Sequence, residues 1–283
     1  VSDCKPGNAP QLVFSAMDAS VATEIERDFA HAGHIVVSNS RNHRMEPDVP
    51  LIVPEINPAH LALIYRQQRS RGWRGMIVTN PNCSTVTLTI ALAPLKKFGI
   101  ERVLAATMQA VSGAGYPGVA SMDIVANVIP YIGSEEEKME HETQKILGEV
   151  ENGQVVPLNA RVSAHCNRVA VVDGHTVATS VSFSSKPAAA DVRAALEAFR
   201  GVPQQRNLPS APPQPVIYMP QQDRPQPRRD AGRENGMTVF VGRVRDCPVL
   251  DIKFVACGHN TIRGAAGVAV LNAELMVSEG LLD

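Results

Sequence analysis

The 283-residue sequence has few aromatic side chains and no excess of either charge. Phe, Trp and Tyr make up 4% of the chain, and 27 Lys and Arg stand against 28 Asp and Glu. Proteins that bind nucleic acid or an anionic membrane usually carry a basic patch, so this balance argues against both classes. No apolar run approaches the ~18 residues of a membrane-spanning helix, and no segment reads as a signal peptide. This composition is typical of a soluble cytoplasmic enzyme.

Cysteine usage argues against a disulfide framework and against a zinc site. The five cysteines are odd in number and scattered, so we expect free thiols in a reducing compartment. Cys257 and His259 lie close together, but a tetrahedral site needs two further ligands. We expect no bound metal.

The run Asn-Pro-Asn-Cys-Ser-Thr at residues 80–85 carries the strongest signal. Residues 76–79 predict a strand that ends at the Asn-Pro turn, and a helix begins directly behind Cys83. At a helix N-terminus, free backbone N–H groups and the macrodipole favour a thiolate and lower its pKa from ~8.5. Cys83 is therefore a candidate nucleophile, expected to react faster than the other cysteines. A buried, inert thiol is the alternative interpretation.

A second candidate group lies at Arg168 and His175. The residues between them alternate in polarity and end in Asp-Gly, which predicts one short strand with Arg168 and His175 at its opposite ends. A histidine can pass protons near neutral pH, and an arginine can hold a carboxylate through two parallel hydrogen bonds. Without Cys83, a solvated surface histidine would be the simpler interpretation.

Five segments in order resemble the aspartate-semialdehyde dehydrogenases, in the branch found in archaea and fungi. They are residues 80–85, 109–115, 135–138, 168–175 and 264–267, the last with Asn272. The resemblance covers nearly the whole chain, and five motifs together are highly specific. It implies the interconversion of 4-phospho-L-aspartate and aspartate 4-semialdehyde with a nicotinamide cofactor, usually NADPH. That reaction serves threonine and methionine synthesis and, in many organisms, lysine synthesis.

The resemblance assigns the catalytic roles to three residues. Cys83 is the nucleophile that forms a thioester, His175 is the acid/base, and Gln109 orients the acyl intermediate.

Substrate-binding roles follow in the same way. The resemblance assigns the α-carboxylate to Arg168, the ammonium group to Glu135 and the phosphate to Lys138, with Glu136 as an alternative to Glu135. Glu135 and Lys138 share one face of a helix predicted to begin near Ser134. A capped, solvated helix start is the other interpretation of this run.

Arg41 and Asn42 fall where the family places phosphate-binding groups ahead of the nucleophile. A basic surface loop is the alternative for them.

The resemblance places Ser15, Ser112, Gly113 and Asn272 at NADP. Residues 113–118 match G-x-G-x-x-G, but Pro117 interrupts the turn and no second strand of a βαβ unit follows. We interpret this run as a loop beside the nicotinamide. Family members begin with a Gly-rich turn that holds the cofactor pyrophosphate, and none precedes Asn39. We therefore expect a chain that lacks the first part of the nucleotide domain, folds, and binds NADPH weakly.

We expect an α/β fold, with a partial Rossmann nucleotide-binding domain and an α+β catalytic and dimerisation domain of the glyceraldehyde-phosphate-dehydrogenase type. The first comprises residues 1–82 and 259–283, because residues 265–282 resemble a helix that returns to it; the second comprises residues 83–258. Alternating segments predict a sheet with one face packed on helices, at residues 102–111, 161–172, 176–184, 238–245 and 250–257. Eight prolines from 203 to 227 indicate an extended crossover against a partner subunit, in a homodimer or homotetramer.

Three other interpretations remain open. Archaeal malonyl-CoA reductases keep the same cysteine, and N-acetyl-glutamyl-phosphate reductases share the chemistry with a different cysteine context. A non-catalytic oligomerising fragment of the family is the third.

Overall fold

Two main β-sheets organise the chain in the computed structural model, which describes residues 4–282. The strands are β1 Leu12–Ser15, β2 Ile35–Ser38, β3 Met76–Thr79, β4 Ile100–Gln109, β5 Val128–Ile129, β6 Glu149–Glu151, β7 Gln154–Val156, β8 Arg161–Val169, β9 His175–Phe183, β10 Val216–Met219, β11 Val239–Asp246 and β12 Ile252–Gly258. The helices are α1 Ala19–Ala32, α2 Leu63–Arg71, α3 Cys83–Leu92, α4 Ser121–Ile124, α5 Glu135–Ile146, α6 Ala189–Ala198, α7 Val202–Gln205, α8 Pro227–Asp230 and α9 Gly267–Ser278. None of the helices within residues 4–282 is long and apolar enough to cross a membrane.

The first sheet is parallel and has the order β1-β2-β3. Strands β2 and β3 are buried along their whole length, which explains their run of apolar, mostly β-branched residues. Asp18 caps α1 by accepting the Ser20 N–H, and Gly33 ends the helix with a left-handed φ of 108°. The predicted partial Rossmann part of the fold is thereby confirmed.

The second sheet is mixed, with the order β10-β11-β12-β9-β4-β8-β5. Along β9 the side chains of Val177, Thr179, Val181 and Phe183 are buried, and those between them are partly exposed. This alternation confirms the predicted sheet with one face packed on helices. The buried face packs against α3, α5 and α6.

Arg168 and His175 lie on different strands, so the prediction of one strand between them is wrong. Strand β8 ends at Val169 and β9 begins at His175, and β4 lies between these strands in the sheet. The Asp-Gly turn at residues 173–174 therefore ends a connection between two strands that are not neighbours in the sheet. Because Gln109 pairs with Arg168 and Met108 with Thr176, both side chains still arrive at the same end of the sheet.

The proline-rich stretch is ordered and contains a strand that the sequence did not predict. β10 forms the edge of the second sheet and pairs in parallel with β11. Prolines lack a backbone N–H, and an edge strand tolerates them because its outer side has no neighbouring strand to bond.

The C-terminal helix α9 returns to the parallel sheet, as predicted. Leu271 and Leu275 pack in one cluster with Ile35 and Val37. Just before α9, the guanidinium of Arg263 forms a fully buried ion pair with Glu55 at 2.6 Å.

Candidate active site

Cys83 is the first residue of α3, as the sequence predicted. Strand β3 delivers the chain to Asn82, whose side-chain oxygen accepts the backbone N–H groups of Ser84 and Thr85 at 2.9 and 3.3 Å. This N-cap starts the helix at the cysteine. The backbone of Gly264 packs directly against Cys83. A Cβ added at residue 264 would lie only 2.5 Å from the Cys83 Cβ, so only glycine fits there.

His175 lies beside the sulfur of Cys83. The Cys83 Sγ and the His175 Nε2 are 3.1 Å apart, and the imidazole is fully buried. The backbone N–H of Ala110 donates to the His175 Nδ1 at 3.1 Å. The nucleophile–histidine pair expected from the sequence is therefore assembled.

The protonation of this pair differs from the sequence-based expectation. Burial, followed by the negative charge of Glu135, raises the pKa of the Cys83 thiol to about 12. Together they outweigh the lowering effects of Arg44, the Ser84 N–H and Arg168. Burial, with the charge of Arg168, lowers the pKa of His175 to about 3. The prediction of a lowered thiol pKa is thus wrong for the free protein. Loss of solvent destabilises the thiolate by more than the helix N-terminus stabilises it.

The side chain of Arg168 extends from β8 to Ala110, the residue whose N–H contacts His175. Its Nη1 donates to the Ala110 carbonyl at 2.8 Å, and burial lowers its pKa. No carboxylate of residues 4–282 forms an ion pair with it. The guanidinium therefore retains donors for an incoming anion. Gln109 is buried on the neighbouring strand β4, where its Nε2 donates to the Thr107 hydroxyl at 3.3 Å.

Glu135 and Lys138 lie in the first turn of α5, and the charge of Glu135 acts on Cys83. Glu135 accepts the Asn82 Nδ2 at 2.6 Å, and its second oxygen lies 3.6 Å from the Lys138 Nζ. Glu136 instead accepts the backbone N–H of Cys166 at 3.0 Å, away from this cluster. The structure therefore brings Glu135, rather than Glu136, beside Asn82.

Comparisons with known proteins show the family of this chain. Residues 3–64 match the family described as semialdehyde dehydrogenase, NAD binding domain, and residues 92–263 match semialdehyde dehydrogenase, dimerisation domain. The aspartate-semialdehyde dehydrogenase of Methanothermobacter thermautotrophicus is 52% identical over 268 residues, covering 94% of this chain and 77% of that relative. The Schizosaccharomyces pombe enzyme is 46% identical over 293 residues, covering 100% and 82%. The chain belongs to the aspartate-semialdehyde dehydrogenase family.

A solved structure extends the likeness to the fold. The aspartate-semialdehyde dehydrogenase of Candida albicans, crystallised with NADP, superposes with a TM-score of 0.91 at 42% identity, covering 99% of this chain and 82% of that chain. The predicted family, in its archaeal and fungal branch, and the predicted fold class are confirmed.

Three of the residues expected at the cofactor line the junction of the two sheets. A Cβ on Gly113 would lie 2.9 Å from both the Arg168 Nη1 and the His175 Cε1, so this loop packs on the catalytic pair. Ser112 accepts the Asn260 Nδ2 at 2.8 Å. Asn272, which is 1% exposed, donates to the Asn80 Oδ1 at 2.6 Å and leaves its own Oδ1 without a partner.

Ser15 occupies a different part of the fold. It ends β1, in register with Ser38 of β2 and, through it, Thr79 of β3, at the carboxyl edge of the parallel sheet. Nucleotides bind at this edge in open α/β sheets, so the position fits a dehydrogenase cofactor. Its hydroxyl donates to the buried carboxylate of Glu26.

The loop 113–118 does not open a helix that crosses over to a parallel strand. It forms one tight turn at Val111–Ala114, and the next strand, β5, runs antiparallel to β8. This agrees with its interpretation as an active-site loop.

Arg41 and Asn42 are the predicted substrate-binding residues that the structure does not bring to the sulfur. Arg41 is exposed near Asp18, and the Asn42 side chain donates to the Ala19 carbonyl and Thr23 on α1. Arg44 is the residue of this loop whose charge acts on Cys83. It donates to Glu142 at 3.0 Å and to the Asn39 carbonyl at 2.8 Å.

Sequence reasoning missed Arg44, Glu142 and the double role of Asn82. The Glu142 carboxylate accepts the backbone N–H of Asn82 at 2.7 Å as well as the Arg44 guanidinium, so it joins the loop 39–49 to the start of α3. The spacing of Glu135 and Glu142, seven apart on one face of α5, was the available signal. Within residues 4–282 no group of His, Cys, Asp and Glu is arranged to hold a metal ion.

Proposed function

We propose that this chain carries the catalytic site of an aspartate-semialdehyde dehydrogenase, which reduces 4-phospho-L-aspartate to L-aspartate 4-semialdehyde with NADPH. The product serves threonine and methionine synthesis, and in some organisms lysine synthesis. The observation that carries the proposal is the Cys83–His175 contact of 3.1 Å at the start of α3, where the charges of Arg168 and Glu135 both act on Cys83.

Charge complementarity supports an amino-acid substrate. Arg168 has donors and no carboxylate partner among the described residues, so it can bind the α-carboxylate through a planar fork. The carboxylate of Glu135 carries the opposite charge and can accept the α-ammonium group. Gln109, next to Arg168 in register, orients the acyl group.

Two cations near the site can bind phosphate. Lys138 lies 3.6 Å from Glu135, and Arg44 acts electrostatically on Cys83. We assign the leaving phosphate to these two cations, with Arg41 and Asn42 kept as outer members of the same site.

Catalysis starts at the sulfur of Cys83. It attacks the acyl carbon, the carbon–oxygen bond to phosphate breaks, phosphate leaves together with the thiol proton, and a thioester forms on Cys83. NADPH, when bound, supplies the hydride that reduces this thioester. His175 lies where it can stabilise the oxygen of the tetrahedral stages, and the resemblance assigns it the acid/base role.

The nicotinamide half of NADP is assigned to Ser112, Gly113 and Asn272, and the nucleotide half to the edge that contains Ser15. The buried Oδ1 of Asn272 has no partner, so it can accept a hydrogen bond from the carboxamide group of the nicotinamide. We keep the division into a nucleotide domain of residues 1–82 and 259–283 and a catalytic domain of residues 83–258. The five free cysteines support a reducing, cytoplasmic location.

A homo-oligomer follows from the dimerisation domain matched by residues 92–263. We propose a homodimer, or a homotetramer built from it, that pairs through the open face of the second sheet. This face carries small or flat side chains in register, namely Leu104, Ser163 and Ser180 in one row and Ala106, His165 and Ala178 in the next.

Substrate protection tests the site without requiring tight cofactor binding. Aspartate 4-semialdehyde and phosphate should slow alkylation of Cys83, measured by mass spectrometry, while alkylation of exposed Cys4 is unchanged. Reduction of NADP+ at high cofactor, dependent on both ligands, should be abolished by Cys83→Ala. Protection by malonyl-CoA but not by the semialdehyde would assign the chain to malonyl-CoA chemistry instead.

A further inference from the structure

Lys145 is a buried cation with no part in the site described above. It lies in the last turn of α5, is 5% exposed, and donates three hydrogen bonds from its Nζ to backbone carbonyls. The acceptors are the carbonyls of Arg44, Glu46 and Val49, at 2.7, 2.8 and 2.9 Å. An ammonium group has three N–H donors, so the loop 39–49 uses all of them.

Three carbonyl oxygens that converge on one point favour a cation there. Each oxygen carries a partial negative charge, so without the ammonium the three would repel one another and lose a donor. Burial lowers the pKa of Lys145 to about 8, against the raising effects of Asp48, Glu46 and Glu142, so the side chain is mainly an ammonium ion at pH 7. The C-terminal end of a helix also favours a cation. Lys145 therefore stabilises the folded conformation of the loop.

The same loop carries Arg44, one of the two cations assigned to phosphate. The Arg44 guanidinium donates to Glu142 at 3.0 Å, and its backbone carbonyl accepts the Lys145 Nζ. Both partners belong to α5, so this helix holds Arg44 at its side chain and at its backbone. In this position the charge of Arg44 acts on Cys83.

Helix α5 also positions the nucleophile. Residues 135, 138, 142 and 145 follow one another at spacings of three and four, which places them along one face of the helix. Glu135 and Glu142 accept the side-chain and backbone N–H groups of Asn82, the residue directly before the nucleophile. One rigid element therefore sets the distance between the sulfur and the phosphate-binding cations.

We propose that Lys145 is a positioning residue for phosphate, which holds the loop 39–49 against α5 and thereby keeps Arg44 within electrostatic reach of Cys83. The donors of Lys145 are all used by the loop, so it acts through Arg44 and not on the substrate. This inference rests on the proposed function, in which Arg44 and Lys138 bind the leaving phosphate, and adds the residue that fixes one of them.

Two substitutions separate the charge of Lys145 from its hydrogen bonds. Lys145→Met removes both, while Lys145→Gln keeps two N–H donors and removes the charge. Arg71 of α2 also donates to Asp48 in this loop, at 2.6 Å, so the loop retains an anchor and both variants should fold. Lys97→Met is the matched control, because Lys97 is an exposed lysine beyond the far end of α3.

Ligand protection of Cys83 provides the measurement. The concentrations of phosphate and of aspartate 4-semialdehyde that halve the alkylation rate are determined separately, so the intrinsic rate of Cys83 cancels. In Lys145→Met the phosphate value should rise roughly tenfold or more, because displacement of Arg44 removes one of two charges, and the semialdehyde value should change by less than about twofold. Lys145→Gln should give an intermediate phosphate value, and Lys97→Met should match the unchanged chain.

Three results would overturn the proposal. Equal shifts for both ligands would show that Lys145 only stabilises the fold, and an unshifted phosphate value in a folded variant would show that it does not position Arg44. If Lys145→Met does not fold by circular dichroism, Lys145→Gln provides the same test, with an expected phosphate shift of at least roughly threefold. Failure of both variants to fold would also indicate a purely structural role.

Failure of the proposed function gives a different result. If neither ligand protects Cys83 in the unchanged chain, the function is refuted, and hydrogen exchange still tests the contact with the loop. Amides of residues 44–49 should exchange at least roughly tenfold faster in Lys145→Met, while those of α6 stay the same. Protection of the unchanged chain by both ligands, with loop exchange and phosphate value unaffected by Lys145→Met, would refute only the role of Lys145.

Discussion

At the sulfur of Cys83 two electrostatic effects act in opposite directions. The first turn of α3 presents a backbone N–H from Ser84, which lowers the thiol pKa, and burial raises it to about 12. The sulfur is consequently a neutral thiol near pH 7 in the free protein. Under the proposed function, we expect substrate binding to bring an electrophile and a proton acceptor to this thiol.

The first prediction concerns the pH dependence of Cys83 alkylation. A thiol with a raised pKa gains thiolate over the whole alkaline range, so its iodoacetamide rate should rise about tenfold per pH unit from pH 7 to about 10. Cys247 provides the comparison. Slight burial raises its pKa, but backbone N–H donors of Leu250 and Val249 lower it more, so its rate should level off earlier. A plateau in the Cys83 rate below pH 8, measured by peptide mass spectrometry, would contradict the raised pKa and support the lowered pKa expected from the sequence.

A second prediction concerns the carboxylate-binding role of Arg168. Arg168→Lys keeps the charge and loses the planar fork, so it should raise KM for the semialdehyde and lower kcat together, each by roughly tenfold or more. It should also lose the hydrogen bond to Ala110 that helps to hold the loop beside His175. Steady-state kinetics give both constants, with Arg161→Lys, at the far end of the same strand, as the control. Unchanged kinetics in Arg168→Lys would place the carboxylate elsewhere.

At the scale of elements, α3 is held at its first residue by three partners. Asn82 caps it, while Glu135 and Glu142 of α5 accept the side-chain and backbone N–H groups of Asn82. The helix itself is buried from Ser84 to Leu92. The position of the nucleophile therefore depends on the packing of α5 as much as on α3.

The third prediction compares two N-caps. Asn82→Ala removes acceptors from buried N–H groups and should lower the free energy of unfolding by about 1–3 kcal/mol. Asp18→Ala removes the equivalent cap from α1 at an exposed site, where water replaces the carboxylate, and should cost less. Urea unfolding of both variants gives the comparison. Equal losses would mean that burial of the α3 cap has no energetic effect.

At the scale of the whole molecule, the second sheet has one buried face and one open face. Leu104, 48% exposed, lies in the middle of the open face on β4, beside Ser163 and Ser180 on its neighbours. A flat row of this kind permits close approach of a second sheet.

The fourth prediction tests this face as the contact between subunits. Leu104→Arg places a charge in the proposed interface and should shift the sedimentation coefficient from dimer or tetramer to monomer. Val249→Arg, at an apolar residue that is 79% exposed elsewhere, is the matched control and should leave the assembly unchanged. An intact oligomer in Leu104→Arg would show that the subunits meet through another surface.

Most elements could be predicted because their signals are local. α1, β2, β3 and the start of α3 follow from β-branched runs, Asp18, Gly33 and Asn82. Strand β10 was missed because prolines surround it, and its hydrogen bonds come from β11, more than 20 residues away in the chain. Arg44 was missed in favour of Arg41 because both lie in one basic loop, and only the ion pair with Glu142 selects between them.

The sequence by itself determined the family and the fold class. It also indicated Cys83, His175, Arg168, Glu135 and Lys138 as candidate site residues, because each stands in a short motif with local chemistry. Only the tertiary structure decided that Arg168 and His175 come from strands on either side of β4. It also decided the sign of the pKa shift at Cys83. Strand order and desolvation depend on groups distant in the chain, which no local pattern of residues records.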